Sequence, residues 1–138
     1  MDRALNYLSL ARKGGMAELG EEPVGAITRT GKGYLVMVAS DASDHTWRRA
    51  KSFVSGTNQQ CIRVKFTKEE LGFVVGRTSL AIAAITDAPM ALAMVKALGE
   101  PEKYKDALAA LEEKSQKLKK RQSEAKAHQK NVRMGKKK

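Results

Sequence analysis

The sequence predicts an α/β fold, with helices on both faces of a sheet, followed by a strongly basic helical tail. Three observations carry this reading. Apolar runs of strand length alternate with segments of helical period. Glycine, proline and capping residues punctuate them at close intervals. Charge is also segregated: of a net +11, residues 114–138 contribute +10, with eleven Lys/Arg against the single Glu124, leaving +1 for the first 113 residues.

The elements follow in order. Ala4, Leu5, Leu8 and Ala11 give a first helix, stopped by Arg12-Lys13-Gly14-Gly15. Met16–Leu19 reads as a short strand. Gly20-Glu21-Glu22-Pro23 opens a second helix, because acids and proline suit a first turn. Gly25 weakens it and Gly31-Lys32-Gly33 ends it. Tyr34–Ala39 is unbroken and apolar, as expected of a central strand. Ser40-Asp41-Ala42-Ser43 offers caps for a helix with Trp47, Ala50 and Val54 inward and Arg48, Arg49 and Lys51 outward. Cys61–Phe66 alternates, so one face meets solvent. Thr67-Lys68-Glu69-Glu70 is a capping box before Leu71, Val74 and Val75. After the loop Arg77-Thr78-Ser79, Leu80–Ile85 reads as a buried strand. Asp87 caps a helix with Pro89 in its first turn and Met90, Met94, Ala97 and Leu98 on one side. The count before the tail is four strands and about five helices.

Gly99-Glu100-Pro101 divides a domain over 1–100 from a tail over 101–138. Asp106–Lys126 holds helix formers without proline or glycine. Leu108, Leu111 and Leu118 are few for its length. The helix is expected to dock at its start and the tail to be partly disordered at its end.

Composition excludes several classes. Apolar residues reach 42%, enough for a core, yet no run approaches the roughly 20 residues of a bilayer span, and no membrane role is expected. The single Cys61 makes no disulfide framework, and the start shows no basic-then-apolar leader, so the expected address is cytoplasmic. Cys61, His45 and His128 have no zinc spacing, and Gly31-Lys32-Gly33 lacks the pattern of a phosphate-binding loop. Glu21-Glu22 and Glu69-Glu70 are explained by helix starts. No constellation supports an enzyme, and no cofactor or metal is expected.

The ordered set Gly20-Glu21-Glu22, Gly31-Lys32, Leu35–Asp41, Glu70-Leu71-Gly72 with Gly76, and Ala83–Asp87 resembles the L-seven-Ae / L-thirty-e family of ribosomal proteins. The likeness is particularly to its small bacterial YlxQ-type members, and it spans Leu5 to Leu98. It implies a three-layer α/β/α sandwich around a mixed four-stranded sheet, and binding of the sharply bent RNA called the kink-turn. It also places the RNA grip at Gly20 to Ala26 and at Gly76–Leu80. Kink-turn binders carry Asn-Glu with Lys three residues on; here those positions are Glu22-Pro23 and Ala26.

The expected function is therefore non-catalytic RNA binding, in a ribosomal or other structured ribonucleoprotein. A protein–protein adaptor on the same scaffold is the alternative, and the oligomeric state stays open. Candidate RNA-binding residues in the domain are Gly20, Glu21, Glu22, Arg29, Lys32, Arg77, Thr78 and Ser79. In the tail they are Lys117, Lys119, Lys120, Arg121 and the final lysines, which add phosphate contacts of no sequence preference.

Overall fold

The computed structural model describes residues 2–136, with side chains through Arg121. In chain order it holds α1 (Arg3–Lys13), β1 (Ala17–Leu19), α2 (Glu21–Arg29), β2 (Leu35–Val38) and α3 (Asp44–Val54). Then follow β3 (Gln60–Arg63), α4 (Lys68–Val74), β4 (Ile82–Ile85), α5 (Ala88–Ala97) and α6 (Lys105–Lys136). The strands form one sheet in the order β1-β4-β2-β3. β2 runs parallel to β3, while β4 is antiparallel to both β1 and β2. Helices α2 and α3 pack together on one side; α1, α5 and the start of α6 pack on the other, with α4 against α1. The fold is the predicted three-layer sandwich with a mixed four-stranded sheet.

Local chemistry explains most boundaries. Every residue of β2 and β4 is buried, so these apolar runs take the sheet centre. β3 is an edge strand whose Gln60, Cys61 and Arg63 stay half-buried. Asp2, Ser43, Thr67 and Asp87 each cap a helix start, and Thr67 and Glu70 form the expected capping box. Gly25 has a packing reason: a Cβ there would lie 3.1 Å from the Phe53 ring, so its absence lets α2 approach α3.

Two apolar stripes differ from expectation. In α3 only Ala50 is fully buried, because this helix overhangs the sheet edge and leaves Trp47 and Val54 half-covered. In α5 the deepest residues are Ala88, Ala91, Met94 and Val95, since α1 and α6 flank it; Met90 and Ala97 sit at the margin. The core also extends past Gly99-Glu100-Pro101: Tyr104, Ala107, Leu111 and Ser115 are buried, at helical spacing along α6.

Helix α6 runs beside β3 in the opposite direction. The Tyr104 hydroxyl donates to the Arg63 carbonyl at 2.8 Å, at the C-terminal end of β3. Burial holds that phenol above its ordinary range. Ten residues on, the Lys114 ammonium lies 5.7 Å from the centre of the Tyr34 ring, just before β2 begins. The helix therefore leaves the domain at the N-terminal end of the two parallel strands.

Candidate functional site

Two loops meet at the other end, where β2 finishes. Gly20 bonds through its N–H to Ile82 O at 3.0 Å and turns the chain into α2 with a φ of 97°, a conformation that disfavours any Cβ. No side chain caps α2, leaving the polar N–H groups of its first turn to other partners. Arg77, Thr78 and Ser79 form the neighbouring loop, exposed to solvent.

That loop is seated on α4. Arg77 N–H donates to Gly72 O at 2.8 Å, and Leu80 N–H to Lys68 O at 2.9 Å. A Cβ on Gly72 would come within 2.8 Å of Ser79 N and 2.9 Å of Arg77 O, so only glycine admits the loop at this height. The Arg77 guanidinium then reaches the start of α2: its Nη1 would lie 3.8 Å from a Cβ on Gly20.

Electrostatics at this end are set by a residue from a third element. Arg49 Nε of α3 lies 2.6 Å from Glu21 Oε1, an ion pair made outside hydrogen-bond alignment. The same guanidinium sits 5.4 Å from the Phe53 ring centre. Glu21 is thus neutralised beside Arg77, while Glu22 stays exposed.

Through the approach of Arg77 to Gly20 the structure brings the segment Gly20, Glu21, Glu22 to the loop of Arg77, Thr78 and Ser79, and it separates the rest. Arg29 closes α2, about 13 Å along its axis from the start. Lys32 follows it into the loop before Tyr34. Lys117, Lys119, Lys120 and Arg121 are exposed on the departing part of α6, with Lys117 paired to Glu113 at 3.1 Å. Lys137 and Lys138 lie outside the described residues.

Sequence reasoning missed Arg49 as a site residue and named Gly72 only as part of the family resemblance, without a role. Arg49 gave no signal, because its partner is 28 positions earlier in the chain. Gly72 did give one: a glycine inside a short helix, two residues after the capping box.

Other groups are accounted for by packing. Burial pushes the Cys61 thiol up to about 11, against the pull of Lys51, so it stays protonated at neutral pH. Trp47 lies under the Arg63 guanidinium at 4.9 Å, and two buried nitrogens of that guanidinium have no hydrogen-bond acceptor. Among the described residues, no cluster of His, Cys, Asp and Glu could hold a metal, and no helix is long and apolar enough to cross a membrane. One apolar feature stands out: Phe73 on α4 is 76% exposed, in an open groove of about 420 Å³ with Leu5 and Val74, rimmed by Asp2, Glu69 and Glu70.

No family model matches the chain. No curated protein matches it either. Solved structures do. A protein of unknown function from Bacillus halodurans C superposes with a TM-score of 0.67 at 23% identity, over 72% of this chain and 100% of that one. The Giardia lamblia 15.5kD RNA binding protein superposes at 0.58 and 17% identity, over 71% of this chain and 83% of the other. At these identities the likeness is one of fold.

Proposed function

We propose that this chain is a non-catalytic RNA-binding protein that grips structured RNA where Gly20 meets Arg77. The observation that carries the reading is the convergence of an uncapped helix start, an exposed arginine loop and an acid already neutralised by Arg49. Helix-start N–H groups attract phosphate oxygens, and Thr78 and Ser79 can meet the edges of unstacked bases. The Giardia lamblia protein of similar fold is named for RNA binding, which supports the same reading. Pro23 and Ala26 stand where a kink-turn binder has its acid and its lysine, so the expected preference is for bent RNA generally, with a shallow advantage for the kink-turn. A cytoplasmic, ribosome-associated setting goes with this role.

The test compares a kink-turn RNA, a plain duplex and purified ribosomes across a salt series, using the full chain and a chain ended at Arg121. Binding to at least one, with a shallower salt slope after truncation, is expected. No binding by the full chain at low salt would sink the proposal. The second reading, a protein–protein adaptor, is favoured by one feature, the exposed Phe73. A nuclease-resistant protein partner lost in Phe73→Ser would support it.

A further inference from the structure

We propose that the chain has a second RNA-facing end, formed by Lys32, Tyr34, Asn58 and the Lys114–Lys117–Arg121 side of α6, and that it takes a duplex segment separate from the RNA at Gly20 and Arg77. The inference rests on the preceding reading for the first end only. The second end stands on its own geometry.

Lys114 lies over the Tyr34 ring, and Tyr34, Asn58, Leu111, Lys114 and Lys117 line a small groove of about 100 Å³ between α6 and the start of the parallel strands. Lys32 lies two residues before Tyr34. Lys114, Lys117 and Arg121 fall within about 60° of one another around the helix, at 100° per residue. Lys119 points the other way. Among the described residues, the only acid paired at this end is Glu113, on Lys117. After Arg121 the sequence adds six more Lys/Arg. The result is a cationic face that starts on the folded domain and follows α6 outward as far as Arg121.

Distance makes the two ends independent. From Tyr34 to Ala39 the chain is extended through β2, roughly 17 Å at about 3.3 Å per residue. The Debye length at physiological salt is only about 8 Å, so neither end reinforces the other through solvent. The ends also belong to opposite layers, α2 packing with α3 on one side of the sheet and α6 with α5 and α1 on the other. A nucleic-acid duplex is straight over such a length, with a persistence length of about 150 base pairs for DNA. One straight helix laid against one end therefore leaves the other free. Simultaneous occupation needs two helical segments, either two molecules or two arms of one bent RNA.

The experiment immobilises a kink-turn RNA with six-base-pair arms, too short to reach round the domain, and adds the full-length protein with a fluorescent 20-base-pair RNA duplex. Retention of the duplex through the protein is expected, with one protein per pair of RNAs by light scattering. Lys117→Ala with Arg121→Ala should lower duplex affinity about tenfold and reduce the salt slope by about two, leaving kink-turn affinity within about threefold. Arg77→Ala should do the reverse. Lys119→Ala, on the other side of the helix, is the control for loss of charge alone. If the kink-turn RNA is held but the duplex is never retained, the second end is refuted and the first stands. Retention that the double variant leaves unchanged, or that a protein dimer carries, also overturns it. Duplex binding without kink-turn binding would overturn the first end and the bridging with it.

Discussion

Arg49 holds Glu21 at 2.6 Å across the α2–α3 packing, so an acid in the first turn of α2 reaches the surface already paired. The pair is half-exposed, and its effect on stability is small, up to about 1 kcal/mol. Its effect on the surface is larger, because it removes a negative charge beside Arg77.

Arg49→Ala should therefore weaken binding of bent RNA about two- to fivefold while leaving the unfolding midpoint nearly unchanged. Adding Glu21→Gln should restore most of the affinity. Equal affinities for the single and double variants, measured by titration at 0.1 M salt, would count against the pairing argument.

Gly72→Ala sets two effects against each other. Helix propensity favours alanine by about 1 kcal/mol. The new methyl, however, meets the Arg77 and Ser79 backbone at 2.8–2.9 Å, and backbone tied by hydrogen bonds at Arg77 and Leu80 cannot step aside freely. Overpacking of about 1–3 kcal/mol wins, so urea unfolding should show net destabilisation and RNA affinity should fall with it. A more stable variant with unchanged binding would contradict this geometry.

Leu111→Ala tests whether the start of α6 belongs to the domain core. Leu111 is 2% exposed, and its truncation should cost about 2–5 kcal/mol of unfolding free energy in a single transition. A tail helix independent of the domain would instead leave the domain's own transition where it was.

Cys61 offers a pH test. Its thiol is raised from 9.0 to about 11 by burial, partly countered by Lys51. Alkylation by iodoacetamide should be slow at pH 8 and climb about tenfold per pH unit to a plateau near pH 11, in the native protein. Because the folded state disfavours the thiolate, the stability tied to this group is complete below pH 9.0 and lost as pH rises through 11. A plateau near pH 9 would mean the thiol is open to solvent.

Much of this molecule was legible beforehand. The capping box at Thr67 and Glu70, the Asp87 cap and the all-buried runs of β2 and β4 depend on neighbours within a few positions, and each was readable as a local pattern. The grouping of Gly20–Glu22 with Arg77–Ser79 was expected only through the family resemblance, since those segments are far apart in sequence. The contribution of Arg49 was not readable at all. Nor was the burial of Tyr104, Ala107 and Ser115, because polar and small residues declare no face until something packs on them.

By itself the sequence determined which segments become helices and strands, where most of them start, and that the excess charge belongs to the tail. Those properties come from side-chain size, backbone preference and capping within one or two turns. Only the tertiary structure decided that α6 runs back along β3, from Arg63 to Tyr34, and so carries its lysines to the end of the domain opposite Arg77. That direction is set by contacts between residues some 40 to 80 positions apart, and no local pattern encodes them.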